Sequence, residues 1–327
     1  HMLFKGSRAF PKGVIDTQIA RNGGVMNGLT WLDFTTFFET LPADRIDLGL
    51  RIEADRMVNA AFDPGEVDLE RSVIISERQG AENQPTFLLS EEVVGAAFRV
   101  HPYHHETIGD MCDLETISHG DLVHHYQTHY GPNNAIAVVA GDFQAARMLD
   151  RIQQLFGPIP ARTQPPPIQR PEPPQRGERR VTLEGPGSTA YVQAAYRAPG
   201  ATDPDFFPMV VLSTILTGAS GMNLFAPPPP NRSSRLYRAL VETGLAAGVS
   251  GSLSPTLDPF LYNILTTVQA NHDVDAVQAA LDGEMEQLLQ EPISEEELDT
   301  AIKQSKAQFA YSSESVTNQG FWLGSSA

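Results

Sequence analysis

The chain has 327 residues, 41% hydrophobic and 19% charged, enough for two domains of roughly 150–190 residues with buried cores, so wholesale disorder is excluded. Its 40 acidic against 23 basic side chains leave a formal charge of −17, which opposes phosphate backbones and argues against nucleic acid as a partner. The single cysteine, Cys112, excludes an intrachain disulfide and a cysteine-built zinc site, and no apolar run reaches the roughly 18–20 residues that span a bilayer.

In chain order, 12–22 reads as a short helix ending at Gly23-Gly24, and 25–32 and 34–41, rich in Thr and aromatics, read as strands. An imperfect amphipathic helix follows over 43–61, and Asp63-Pro64 opens another over 64–80. Helices are expected at 86–99, 118–129 and 143–155, with a buried strand at 135–140. Residues 157–178 hold eight prolines, a stiff extended linker, so the chain divides into 1–160, the linker 161–178, and 179–327. After it come strands near 180–184 and 189–197, helices at 205–217 and 233–243, strands at 246–253 and 260–268, and helices at 273–290 and 294–317. A strand, strand, helix, helix order thus occurs twice, and aligning the halves sets Glu77 opposite Lys306. Both ends read as cuts, with further residues expected on either side. The closing Gly320-Phe321-Trp322-Leu323 resembles mid-helix sequence whose aromatics need a partner surface.

Chemistry concentrates in Glu66–Arg78. Glu70 and Glu77 are seven apart, two helical turns, so both carboxylates share one helix face. On spacing alone a solvated acidic helix face is the better explanation. Asn27-Gly28 reads either as a tight hairpin turn or as part of an edge strand. Seven of nine histidines lie between 101 and 129, and His125 and His129 are i,i+4, but no Glu stands between them and no third ligand is evident. Cys112 reads as packed rather than nucleophilic. The stretch 218–230 is rich in Gly and Pro but has no Lys-Ser/Thr ending, so it is a surface loop and not a phosphate loop.

His1-Met2-Leu3-Phe4-Lys5-Gly6, followed 76 positions later by Glu77 in Glu70-Arg71-Ser72-Val73-Ile74-Ile75-Ser76-Glu77, resembles the pitrilysin/insulinase-type inverted zinc metallopeptidases, in their short processing-peptidase-like branch. Asn22-Gly23-Gly24, Asn27-Gly28-Leu29-Thr30, Leu41-Pro42-Ala43-Asp44-Arg45, Glu53-Ala54-Asp55-Arg56-Met57, Tyr130-Gly131-Pro132-Asn133-Asn134 and Ser234-Arg235-Leu236-Tyr237 extend the likeness over nearly the whole chain. The resemblance implies an α+β fold of two similar α/β halves, each a mixed, mostly antiparallel sheet with helices packed on one side. It implies Zn2+ as cofactor, with His1 and Glu77 as ligands and Glu70 as a supporting carboxylate beside them. The first His and the base Glu of the motif would precede His1 by four and one residues, so the chain as written is expected to be inactive. It implies a sheet edge at Asn27, Gly28 and Thr30 to which a peptide adds as a strand, Gly28 leaving room for close approach.

Two features depart from the family pattern. Val241 stands where Arg is expected and no Tyr follows Gly244-Leu245; Lys306 opposite Glu77 leaves the second half without zinc. The implied function is a zinc endopeptidase acting on unfolded peptides, working as a homodimer or with a homologous subunit that supplies the missing Arg and Tyr. The alternative is a non-catalytic homologue that binds peptides as a structural or chaperone-like subunit. The compartment stays open.

Overall fold

The computed structural model describes residues 1–168, 170–219 and 232–327; most of the Gly/Pro-rich stretch 218–230 lies outside the described residues. The chain forms two compact units. The first comprises His1–Asn83, Glu106–Arg170 and Ser315–Ala327, the second Gln84–His105 and Pro171–Glu314.

In the first unit a 3-10 turn, Met2–Phe4, leads to α1 (Val14–Arg21), then to an antiparallel hairpin of β1 (Val25–Thr30) and β2 (Thr35–Thr40). The register runs from Val25 opposite Thr40 to Thr30 opposite Thr35, and the turn closes with Trp31 N–H donating to Phe34 O at 2.8 Å. Asn27 and Gly28 therefore lie inside a strand and form no turn. α2 (Ile46–Asn59) buries Leu48 and Ile52 against Ile15 and Ile19 of α1. α3 spans Pro64–Glu82; Pro64 takes the first-turn position that needs no N–H donor, and the Asp63 carboxylate accepts from Glu66 N–H at 3.1 Å.

The interior of this unit is built round a charge. Arg56 of α2 is 1% exposed, donates to Glu39 of β2 at 2.9 Å and to Glu53 at 2.8 Å, and lies 4.4 Å from the Phe37 ring. Its Nη1 has no hydrogen-bond partner among the described residues. Burial, then the Glu53 carboxylate, push the Glu39 carboxyl up to about 9 against the pull of Arg56.

Helices α4 (Pro85–Ala97, in the second unit), α5 (Met111–Thr116), α6 (His119–His129) and α7 (Ala145–Phe156) follow. Ala135–Ala140, expected as a buried strand, is extended but joins no ladder, and Ile136 is 63% exposed. An apolar run becomes a strand only where another strand completes its hydrogen bonds, and β1 and β2 pair with each other. The expected strand at 180–184 likewise joins no ladder.

The second unit carries an antiparallel sheet of order β3-β5-β4: β3 (Tyr191–Ala198), β4 (Ala246–Leu253) and β5 (Phe260–Val268). Every other residue of β5 from Phe260 to Val268 is buried, as a strand with one core face requires. Its apolar core joins Leu216 of α8 (Phe206–Thr217), Leu236, Leu240, Tyr262, Ile264, and Val277 and Leu281 of α9 (Val274–Gln290). The expected helix 233–243 is π-helical over Tyr237–Glu242. The expected single helix 294–317 breaks into α10 (Glu295–Ser312) and α11 (Val316–Ser325), because Ser315 caps a new start by accepting from Asn318 N–H at 3.1 Å. α11 belongs to the first unit, where Phe321 packs edge-on against Phe38 of β2 at 5.1 Å and Thr317 bonds Thr40 at 2.7 Å. The closing aromatics thus find a partner surface.

Candidate metal centre

The 3-10 turn at the start of the chain sets His1 against the middle of α3. The helix cannot roll away, because Arg71 donates to the Leu114 and Ile117 carbonyls at 3.2 and 2.5 Å and buried Arg78 donates to the Gly109 carbonyl at 2.9 Å. The α3 face that remains presents Glu70 and Glu77 together. Glu70 is 6% exposed, whereas the Glu77 side chain is 57% exposed.

His1 touches both. Its Nδ1 is 2.8 Å from Glu70 Oε1 and its Nε2 is 3.6 Å from Glu77 Oε2. The other Glu70 oxygen pairs with the Lys5 ammonium. Burial alone would raise the Glu70 carboxyl, but hydrogen bonds and charge from Lys5 and His1 hold it below the usual range. Glu70 is therefore an ionised acceptor facing His1 Nδ1, and Nε2 is left on the side of Glu77. That division is what a metal-ligating histidine needs from its supporting carboxylate. Two neighbouring ligands on a tetrahedral zinc, with bonds of about 2.0–2.1 Å, stand about 3.3–3.4 Å apart. The Nε2 to Oε2 separation fits a shared ion with little adjustment. Among the described residues no three His, Cys, Asp or Glu side chains are grouped as a complete metal site. His1 and Glu77 thus face each other as a pair, with Glu70 against the other edge of the imidazole.

Sequence reasoning gave no role to Lys5 or Phe4, although both stand in the quoted run beside His1. Lys5 neutralises Glu70. The Phe4 ring lies over Gly28, where an added Cβ would meet Phe4 Cζ at 2.9 Å and Phe37 Cδ1 at 3.1 Å. Phe4 thus ties the His1 turn to β1, and the space over Gly28 accommodates that ring rather than an approaching ligand. Asn27 Oδ1 accepts from Gly28 N–H at 2.8 Å, and Thr30 Oγ1 is 3.2 Å from Thr35 Oγ1.

The histidines of 101–129 do not assemble a second centre. The His125 and His129 rings stack at 4.3 Å, and burial, then the charges of His129 and His124, lower the His125 pKa. Cys112 is exposed and free, which corrects the expectation that it is packed. Val241 packs against the apolar core of the second unit, and Lys306 is exposed.

The chain is similar to known proteins over nearly its whole length. Residues 1–111 match the family model described as insulinase (peptidase family M16), and residues 116–305 the one described as peptidase M16 inactive domain. The zinc protease PqqE of Helicobacter pylori is 26% identical over 97% of this chain and 70% of its own length. The mitochondrial-processing peptidase subunit beta of Blastocladiella emersonii is 24% identical over 66% of this chain, which spans 46% of that relative. The crystal structure of a protease from Helicobacter pylori superposes with a TM-score of 0.91 at 25% identity, covering 99% of this chain and 77% of that one. The inactive-domain match alone spans more than half of the residues, and the chain belongs to the insulinase (M16) peptidase family.

Proposed function

We propose that this chain is the zinc-bearing part of an endopeptidase that hydrolyses unfolded peptides, with His1 and Glu77 as metal ligands and Glu70 as the carboxylate that orients His1. The observation that carries this reading is the division of the His1 ring, one nitrogen 2.8 Å from Glu70 and the other 3.6 Å from Glu77. Zinc, when bound, supplies the Lewis acidity that polarises a scissile carbonyl and makes water a nucleophile near neutral pH. The chain's own part is to turn Nε2 towards Glu77 through the contact of Nδ1 with Glu70, to offset the Glu70 charge with Lys5, and to offer Glu77 as an anionic ligand. The first His and the base Glu are expected upstream of His1. An extended peptide would add to β1 beside Asn27, Gly28 and Thr30, where backbone bonding gives affinity without sequence demand. A homologous subunit or second copy would supply the Arg and Tyr that the second unit lacks.

A second reading, a peptide-binding subunit without catalysis, is favoured by the core position of Val241 and by the inactive-domain match. Zinc content and cleavage of an unstructured peptide, measured on a chain extended upstream of His1, separate the two. Glu77→Gln should lose zinc and activity while remaining folded. Glu70→Gln should retain more zinc and lose activity by about 10–100-fold. Full activity in both variants would return the two carboxylates to a solvated helix face, and a wild-type chain that binds peptide without cutting it would establish the second reading.

A further inference from the structure

The end of α4 is held by charges of matched sign. Arg197 of β3 donates to the Ala97 carbonyl at 2.6 Å, and Arg179, just beyond the linker, donates to the carbonyls of Ala96 and, at 3.1 Å, Ala97. These are carbonyls that a helix C-terminus leaves without intrahelical partners. The next residue, Phe98, is 3% exposed, stacks on Phe260 at 5.5 Å and lies 4.0 Å beneath the Arg197 guanidinium. After it the backbone has left the helix, and three successive N–H groups converge on one carboxylate. Glu172 Oε1 accepts from Arg99 N–H at 2.8 Å; its Oε2 accepts from Val100 and His101 N–H at 3.0 and 3.1 Å. Arg197 Nη2 stands 3.7 Å from Oε1. The Glu172 side chain is only 9% exposed, while every neighbour from 173 to 180 is exposed.

We propose that the Arg99–His101 turn is a carboxylate-binding site and that Glu172 is its tethered ligand, latching the proline-rich linker onto the second unit. Consecutive backbone N–H groups aimed at one point form an anion-binding nest, and a charged acceptor strengthens each bond. Pro171, Pro173 and Pro174 flank Glu172. They bring no N–H of their own and restrict the backbone, so little freedom is lost when the carboxylate docks. The His101 ring does not compete for Glu172: its Nδ1 accepts from Tyr103 N–H at 3.2 Å, which leaves Nε2–H to Asp258 at 3.2 Å. The cation facing the carboxylate is Arg197 from β3, while Arg179 is bonded to the carbonyls at the end of α4. Burial would raise the Glu172 carboxyl, but the three N–H bonds and Arg197 hold it below its ordinary range, so the latch is closed at neutral pH.

Hydrogen exchange of the Arg99, Val100 and His101 amides in the full chain tests this. Glu172→Ala should accelerate all three by about 10–100-fold, the range expected for losing bonds to a charged acceptor. Glu172→Gln should do the same, because either orientation of its amide sets an NH2 donor against at least one N–H. Trypsin cleavage after Arg176 should accelerate with them. The amides of Ile264 and Thr266 in β5 are the reference and should not change. Unchanged exchange at 99–101 would overturn the latch. Equal acceleration at 99–101 and in β5 would also overturn it, since Glu172 would then hold the fold as a whole.

Discussion

The two units solve the same problem, burying one face of a small antiparallel sheet, by opposite chemistry. In the second, β5 lays Phe260, Tyr262, Ile264 and Val268 against Leu216, Leu236, Leu240 and Val277, an apolar core. In the first, β2 directs Glu39 inward to meet Arg56 and Glu53. The residues it leaves at the start of the chain and on α3, namely His1, Lys5, Glu70 and Glu77, are again charged or ligating. The first unit keeps oriented polar groups in its interior and at the proposed metal site, whereas the unit with Val241 and Lys306 has a hydrocarbon core. Buried ions are costly unless paired, so the first unit depends on each partner in a way that the second does not.

Urea unfolding can break that comparison. The largest effect at a single pH is expected from Arg56→Ala, which leaves the Glu53 carboxylate without its cation and the Glu39 carboxyl without its donor, and should destabilise by about 3–5 kcal/mol. A loss below about 1 kcal/mol, the scale of an exposed pair, would mean that the charge network contributes no more than surface ions do.

In the second unit Leu240, 0% exposed, is the matching probe. Leu240→Ala should destabilise by about 2–5 kcal/mol through lost transfer energy and the cavity left behind. This loss should not vary with pH, whereas that of Arg56→Ala should.

Titration sharpens the contrast further. Glu39 has its folded pKa raised from 4.5 to about 9, so between those values the folded chain binds a proton that the unfolded chain has released. Stability should therefore fall as pH rises from about 4.5 towards 9, most visibly between pH 7 and 9. Glu39→Gln removes the titration while keeping a hydrogen-bonding amide, so its stability should decline less over that range. Equal slopes in wild type and variant would show that Glu39 is ionised beside Arg56 at neutral pH.

Much of this was legible in the sequence because it is local. Pro64 after Asp63 announced α3, the alternation of 260–268 announced β5, and the likeness of His1-Met2-Leu3-Phe4-Lys5-Gly6 and Glu70 to Glu77 indicated which side chains to look for. Apolar content misled at 135–140, where no second strand completes a ladder, and helical periodicity concealed the Ser315 cap that divides α10 from α11. The packing of the Phe4 ring over Gly28 was not legible either, since no spacing reveals it.

The sequence by itself determined composition, helix starts and strand alternation, all set by residue type and by neighbours within a few positions. Only the tertiary structure decided which distant groups meet. It divided the His1 ring between Glu70 and Glu77, enclosed Arg56 between two carboxylates, gathered Gln84–His105 with Pro171–Glu314, and placed Glu172 under three amides of a turn more than seventy residues earlier. The reason is physical: burial and convergent hydrogen bonds depend on separation in space, and a linear pattern carries no measure of that separation.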